Sequence, residues 1–209
     1  MKNLIIVDDH KMLRKGIHSY FTENSDWNVI AEAESLDEVS AILKKNQAAT
    51  EENCTVAIVD IQIKGKNEGL SNGFEAVSLL RKSGIPSVVF SSHDTGSCIE
   101  RAMSFEVGAR GFVSKLSDEK MLLDAVNTVS QGKTFIQPDL ITSFLNTQNL
   151  FSILTRRETQ IVKLIQDGLS NIQIAEELEI KISTLENYLS IIYDKVGCKN
   201  RKNLLEKLS

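Results

Sequence analysis

The chain has 209 residues, 42% of them apolar and 25% charged, and a net charge of −4. That is enough material for two domains with real cores. No apolar run reaches the roughly 20 residues that a membrane span needs, and the N-terminus lacks the basic, apolar, small-residue order of a secretory signal. Cys54, Cys98 and Cys198 are too few and too scattered for a disulfide framework or a zinc site. They are expected in or near cores, in a reducing cytoplasm.

Strand patterns fall near 3–7, 28–33, 54–59, 86–91 and 110–113. Helical patterns alternate with them near 11–23, 36–47, 73–83, 95–107 and 118–131. Five such units predict a doubly wound, five-stranded parallel sheet with helices on both faces. Ser35 with Glu38 reads as a capping box, and Ser117 with Asp118 and Glu119 as the opening of the fifth helix. Gly84 and Gly108 suit helix ends. The polar stretch 64–73 is expected as a loop, and 132–153 as a linker with a short helix at 139–146. From 154 onward strand patterns stop. Four helices are expected near 156–167, 171–178, 184–195 and 200–208. Thr155 with Glu158 is the capping box of the first. Ile172, Ile174, Ala175 and Leu178 are the expected apolar face of the second. Leu185, Leu189, Ile192 and Val196 are that of the third. Two short helices joined by such a turn are a helix-turn-helix, at about 171–190. Charge divides the chain similarly: residues 1–149 carry 15 basic and 20 acidic side chains, residues 150–209 carry 9 and 8.

The chemistry gathers at strand ends. Leu4-Ile5-Ile6-Val7 runs into Asp8-Asp9, and Val56-Ala57-Ile58-Val59 into Asp60. Neighbouring parallel strands would bring the three carboxylates together at the carboxyl edge, where open α/β sheets bind ligands. Clustered carboxylates need a cation or protons, which points to a hard divalent ion, Mg²⁺, with phosphate chemistry beside it. Ser91 and Lys115 end two further strands at the same edge. A hydroxyl and an ammonium there suit the oxygens of an arriving phosphoryl group.

Val7-Asp8-Asp9-His10, Ile58-Val59-Asp60, Phe90-Ser91-Ser92 and Gly111-Phe112-Val113-Ser114-Lys115 make residues 1–131 resemble the receiver domain of a two-component response regulator, a flavodoxin-like fold. The resemblance implies that Asp60 accepts a phosphoryl group from a sensor histidine kinase. It implies Mg²⁺ on Asp8, Asp9, Asp60 and the backbone carbonyl of Gln62. It makes Ser91 the switch hydroxyl and Phe112 the switch aromatic, although Phe112 reads equally as an ordinary core residue. Lys64 stands where the family has proline, and the loop after Asp60 is about five residues longer than usual.

Residues 154–208 resemble a LuxR-type DNA-binding domain, through Leu154-Thr-Arg-Arg-Glu158, Gly168-Leu-Ser-Asn171, Ile174-Ala175, Leu178, Thr184 and Asn200-Arg201. The whole is similar to NarL/FixJ-type response regulators. That implies a phosphorylation-controlled DNA-binding transcription regulator, acting on double-stranded DNA as a homodimer once phosphorylated. Ser183, Asn187 and Tyr188 are the expected base-facing group, Thr184 is a further DNA-binding residue that the resemblance implies, and Lys181, Lys195, Lys199 and Arg201 are among the expected flanking phosphate contacts. The recognition helix departs from the family, with no Lys or Arg from Ile182 to Asp194 and Glu186 on the face where basic residues are common. Ser183 and Glu186 read first as a capping box, second as an acceptor for cytosine N4. Two other readings stand beside this one. A receiver with a protein–protein output would explain the acidic helix. An aspartyl phosphatase would share the site chemistry, but those enzymes use Asp-x-Asp after the first strand.

Overall fold

A computed structural model describes residues 1–45, 54–65 and 71–208. The chain divides into two compact units, the first mainly residues 1–141 and the second mainly 142–209.

In the first unit the strands are β1 (Lys2–Val7), β2 (Trp27–Ala33), β3 (Cys54–Val59), β4 (Ser87–Ser91), β5 (Gly111–Ser114) and β6 (Phe135–Ile136). The sheet runs β2-β1-β3-β4-β5-β6, all parallel. The first five strands are those expected. β6 corrects the five-stranded reading. It arises inside the presumed linker, where Phe135 N donates to Arg110 O at 2.9 Å and Gln137 N to Phe112 O at 3.0 Å. Two paired residues are too short a run to show a period.

Helices α1 (Lys11–Asn24), α2 (Leu36–Lys45), α3 (Ser71–Lys82), α4 (Gly96–Met103) and α5 (Glu119–Ser130) join the strands. Successive strand side chains alternate between faces, so β1 serves two cores. Leu4 and Ile6 join Val56, Ile58, Val88 and Phe90 under Ile17, Phe21, Leu122 and Val126 of α1 and α5. Ile5, Val7, Ala57, Val59 and Val89 are as deeply buried on the other face. This is why the strands are apolar at nearly every position.

Helix ends differ in detail. The α2 box is half formed: Glu38 N donates to Ser35 Oγ, but the Glu38 carboxylate accepts from Glu34 N. Asp118, one residue after Ser117, caps α5 by accepting from Met121 N at 2.8 Å. α4 stops at Met103, so Gly108 closes the turn beyond it instead of the helix. Half of the expected loop 64–73, residues 66–70, lies outside the described residues, and residues 71–73 already belong to α3. Cys98 is buried as expected, and burial pushes its thiol up to about 12. Cys54 is exposed at the start of β3, against the expectation for all three.

The second unit holds α6 (Ile141–Ser152), α7 (Arg156–Gln166), α8 (Asn171–Glu177), α9 (Ile182–Val196) and α10 (Arg201–Lys207). α6 outruns the short helix expected at 139–146. Its end belongs to the second unit's core, where Leu150 and Phe151 pack against Ile161, Ile165, Leu185 and Ile192. The buried stripe of α9 is as expected, whereas Ile172 of α8 points outward. The capping box Thr155–Glu158 is present, and a second forms between Ser170 and Gln173.

The turn between α8 and α9 closes as a Schellman motif, with Ile180 N on Ala175 O at 2.9 Å and Glu179 N on Glu176 O at 3.1 Å. Glu179 sits at φ 51, the one non-glycine residue with positive φ among the described residues. The left-handed conformation costs a side-chain-bearing residue roughly 1–2 kcal/mol, and glycine's extra freedom returns about half of that. Glu179→Gly is therefore expected to stabilise the second unit by about 0.5–1 kcal/mol. Urea unfolding followed by circular dichroism checks this.

Candidate functional site

β1 and β3 are adjacent, with Val7 paired to Val59. Asp60 N donates to Val7 O at 2.8 Å across their ends, and Asp8 N donates to Ala33 O at 3.0 Å at the end of β2. Asp8 and Asp60 thus emerge side by side at the switch point of strand order. Both are buried, at 2% and 3% exposure. Lys115 reaches across from β5 and donates to Asp8 Oδ2 and Asp60 Oδ2, each at 2.7 Å. Lys115 N also donates to Ser91 O at 2.9 Å, so the ends of β4 and β5 are tied beside the cluster.

The remaining acceptor capacity is partly used. His10 N donates to Asp8 Oδ1 at 2.7 Å and Gln62 N to Asp60 Oδ1 at 3.2 Å. Asp9 Oδ1 is covered but accepts no hydrogen bond, and His10 Nδ1 lies 2.9 Å from it. Ligand atoms of Asp8, Asp9, His10 and Asp60 lie within 4.8 Å of one another. A cleft of about 330 Å³ opens beside them, lined by Asp9, His10, Gln62, Ile63 and Lys64. An orphaned oxygen and three carboxylates next to a cleft fit a hard divalent cation.

Burial holds the Asp60 carboxyl above its ordinary range, more strongly than the Lys115 ammonium pulls it down. Burial also disfavours the Lys115 charge, but the hydrogen bonds to Asp60 and Asp8 outweigh it and raise the lysine. One ammonium therefore does not fully compensate the buried carboxylates.

Ser91 is fully buried, its Oγ accepting from His93 N at 3.0 Å. Its hydroxyl proton is not committed by that bond. Phe112 is fully buried in β5, paired with Val89. Sequence reading missed several groups. Gln137 Oε1 accepts from Ser114 N at 2.9 Å, and Ser114 Oγ donates to Asp94 Oδ2 at 2.6 Å, one residue before Lys115. A Cβ on Gly73 would strike the Ile61 backbone, so only glycine lets α3 press against the loop that carries Asp60. No local pattern marks these residues, whose partners are distant in sequence.

On α9, Lys181, Ser183, Thr184 and Asn187 are exposed, and Tyr188 is half-buried against the core. Ser183 and Asn187 lie one turn apart, away from the buried stripe. The capping box read for Ser183 and Glu186 does not form. The helix begins at Ile182 with Lys181 as its cap, which leaves Glu186 exposed within the helix. Two of the expected phosphate contacts have partners inside the unit. Lys195 grips Glu158 with 2.9 and 2.8 Å contacts to its two oxygens. Arg201 donates to Leu169 O at 2.6 Å and Ile165 O at 3.2 Å, closing the end of α7. Arg157 likewise donates to Leu178 O at 2.8 Å. These cations satisfy a buried carboxylate and helix-end carbonyls that would otherwise be orphaned. Lys199 is exposed.

Two family descriptions match this chain: "Response regulator receiver domain" over residues 4–127 and "Bacterial regulatory proteins, luxR family" over residues 152–208. The chain belongs to the response-regulator family, as a NarL/FixJ-type member: a phosphorylation-controlled DNA-binding regulator of transcription. The transcriptional regulatory protein DesR of Bacillus subtilis is 29% identical, over 96% of this chain and 93% of that protein. The solved response regulator ChrA of a heme-sensing two-component system is 28% identical, with a TM-score of 0.52 over 98% of this chain and 94% of that one. RcsB of Salmonella typhimurium shares the fold at 21% identity, with a TM-score of 0.67 over 100% of this chain and 99% of that one.

Two outcomes follow. Lys115→Met leaves buried Asp8 and Asp60 without their cation and should cost about 3–5 kcal/mol at neutral pH. Because the Asp60 pKa is raised, its ionisation costs stability only as pH rises above the ordinary carboxylate range. The loss should therefore shrink as pH falls, measured by denaturant unfolding at pH 7 and pH 4.5. In the second unit, the Lys195 ammonium and the Thr155 N–H hold Glu158 below its ordinary pKa despite burial. That stability is present above the usual glutamate range and is lost as pH falls through and below it. Lys195→Met should cost about 1.5–3 kcal/mol at pH 7 and much less at pH 3.

Proposed function

We propose that Asp60 is the phosphoryl acceptor, with Mg²⁺ held by Asp8, Asp9, Asp60 and the Gln62 carbonyl. The observation that carries this reading is Lys115 bridging Asp8 and Asp60 at 2.7 Å beside an Asp9 oxygen that accepts no hydrogen bond. The bound cation would supply charge neutralisation and hold phosphoryl oxygens. The chain's own groups do the rest. The Asp60 carboxylate attacks the phosphorus of the kinase's phosphohistidine, the P–N bond breaks and the imidazole leaves with a proton from water, while the Lys115 ammonium takes charge on the transferred group and the Ser91 hydroxyl donates to one of its oxygens. Phe112 already lies inside the core, so the switch rests on Ser91 and Lys115.

The donor is a sensor histidine kinase, and the protein works in the cytoplasm. Among the described residues no helix is long and apolar enough to cross a membrane. It is not an enzyme with a released product. The phosphoryl group adds about −1.5 to −2 charges at Asp60 and shifts an equilibrium toward a homodimer whose two α9 helices read half-sites of double-stranded DNA. Lys181, Ser183, Thr184, Asn187 and Tyr188 face the DNA, and Lys199 contacts phosphate. Glu186, exposed and outside any cap, is a candidate acceptor for a cytosine amino group. With Lys195 and Arg201 engaged internally, few cations remain for phosphates, so affinity should fall less steeply with salt than in a basic helix-turn-helix. The same scarcity favours the second reading, a protein–protein output.

Treatment with acetyl phosphate and Mg²⁺ should add one phosphoryl mass in intact mass spectrometry and move the protein toward dimer on size exclusion, with both effects lost in Asp60→Asn. Gel shift of the phosphorylated protein over a salt series should then show specific binding with a shallow salt slope. No mass gain in wild type would overturn the acceptor assignment. No specific DNA band would leave the protein–protein output as the better reading.

A further inference from the structure

We propose that Arg14 is a positioning residue for the acidic cluster, fixing the peptide between Asp8 and Asp9 and so setting the affinity for a divalent cation. This rests on the reading that the cluster takes Mg²⁺. Arg14 lies in the first turn of α1, with 11% of its side chain exposed. Its Nη1 donates to the Asp8 carbonyl. Nε lies 3.4 Å from Glu32 Oε2 and Nη2 3.9 Å from Glu34 Oε2. Glu32 also meets His18 Nδ1 at 2.7 Å, and Glu34 meets Lys64 Nζ at 3.1 Å. Lys64 in turn receives Leu36 N on its carbonyl at 3.1 Å. Arg14 thus anchors the Asp8-Asp9 backbone to the end of β2, which is tied to the loop after Asp60.

The three carboxylates differ in what holds them. Asp8 is fixed by Lys115 and by His10 N, and Asp60 by Lys115 and Gln62 N. Asp9 Oδ1 accepts no hydrogen bond, and its near neighbour, His10 Nδ1 at 2.9 Å, sits on a side chain that is 66% exposed. The placement of Asp9 therefore depends on the backbone before it. The peptide group is planar, so holding the Asp8 carbonyl orients the plane from which Asp9 departs. Partners one step behind a metal's ligands commonly control affinity in this way.

Charge alone predicts the opposite sign. Removing a cation near a cation site, and leaving Glu32 and Glu34 behind, would tighten binding of Mg²⁺. Positioning predicts weaker binding, so one measurement separates the two.

The experiment is isothermal titration of the full-length protein with Mg²⁺, with metal-free melting measured in parallel. Arg14→Met should raise the Mg²⁺ Kd about tenfold. Arg14→Lys keeps the charge but lacks the fork that spans carbonyl and carboxylate, and should not restore it. Glu32→Gln should raise Kd less, and the double variant should be no weaker than Arg14→Met alone, because both changes act on one contact. A Kd for Arg14→Met within twofold of wild type, or tighter, overturns the proposal. Should Arg14→Met fail to fold, wild-type affinity in Arg14→Lys and Glu32→Gln overturns it equally. Absence of Mg²⁺ binding in wild type, or undiminished binding in Asp9→Asn, would instead sink the reading of the acidic cluster, and this inference with it.

Discussion

One ammonium stands between two buried carboxylates, and much of the first unit is arranged around that imbalance. Lys115 satisfies Asp8 and Asp60 at 2.7 Å each, while burial still holds Asp60 above its ordinary range. The apolar strands that deliver these side chains to the sheet edge also deny them water. The site is thus strained electrostatically until a divalent cation or a proton arrives. A structure built only for stability would replace such groups with apolar ones. Their retention at a topological switch point is what phosphoryl chemistry requires.

The second unit uses charge differently. Its core is a small set of isoleucines, leucines and valines, and its cations are turned inward. Lys195 neutralises Glu158, while Arg157 and Arg201 close helix-end carbonyls. These contacts tie α7 to α8, α9 and α10. They also leave fewer cations available at the surface, while Glu186 on α9 is exposed. On the proposed reading of α9 as the DNA-facing helix, affinity would lean on groove contacts more than on phosphate attraction, and so on Ser183, Asn187 and Tyr188.

Between site and output, the presumed linker has structure of its own. β6 pairs with β5, and Gln137 caps the backbone one residue before Lys115. The segment that follows α5 is thus bonded to the strand that carries Lys115 at its end. No spacing in residues 132–153 shows this, because a two-residue strand and one buried amide leave no periodic trace.

The amino-acid order alone determined the five main strands, the helices between them, the four C-terminal helices and the acids at the strand ends. Those features follow from local patterns: apolar runs of fixed period, caps three residues apart, and carboxylates directly after strands. Tertiary structure decided which charged groups are free. Arg14, Lys195 and Arg201 look alike in sequence, as cations on helices. Their partners lie at Asp8 and Glu32, at Glu158, and at Leu169 and Ile165, and those pairings exist only once the chain has folded. A side chain's charge is written locally, but its availability depends on what folding places within about 3 Å of it.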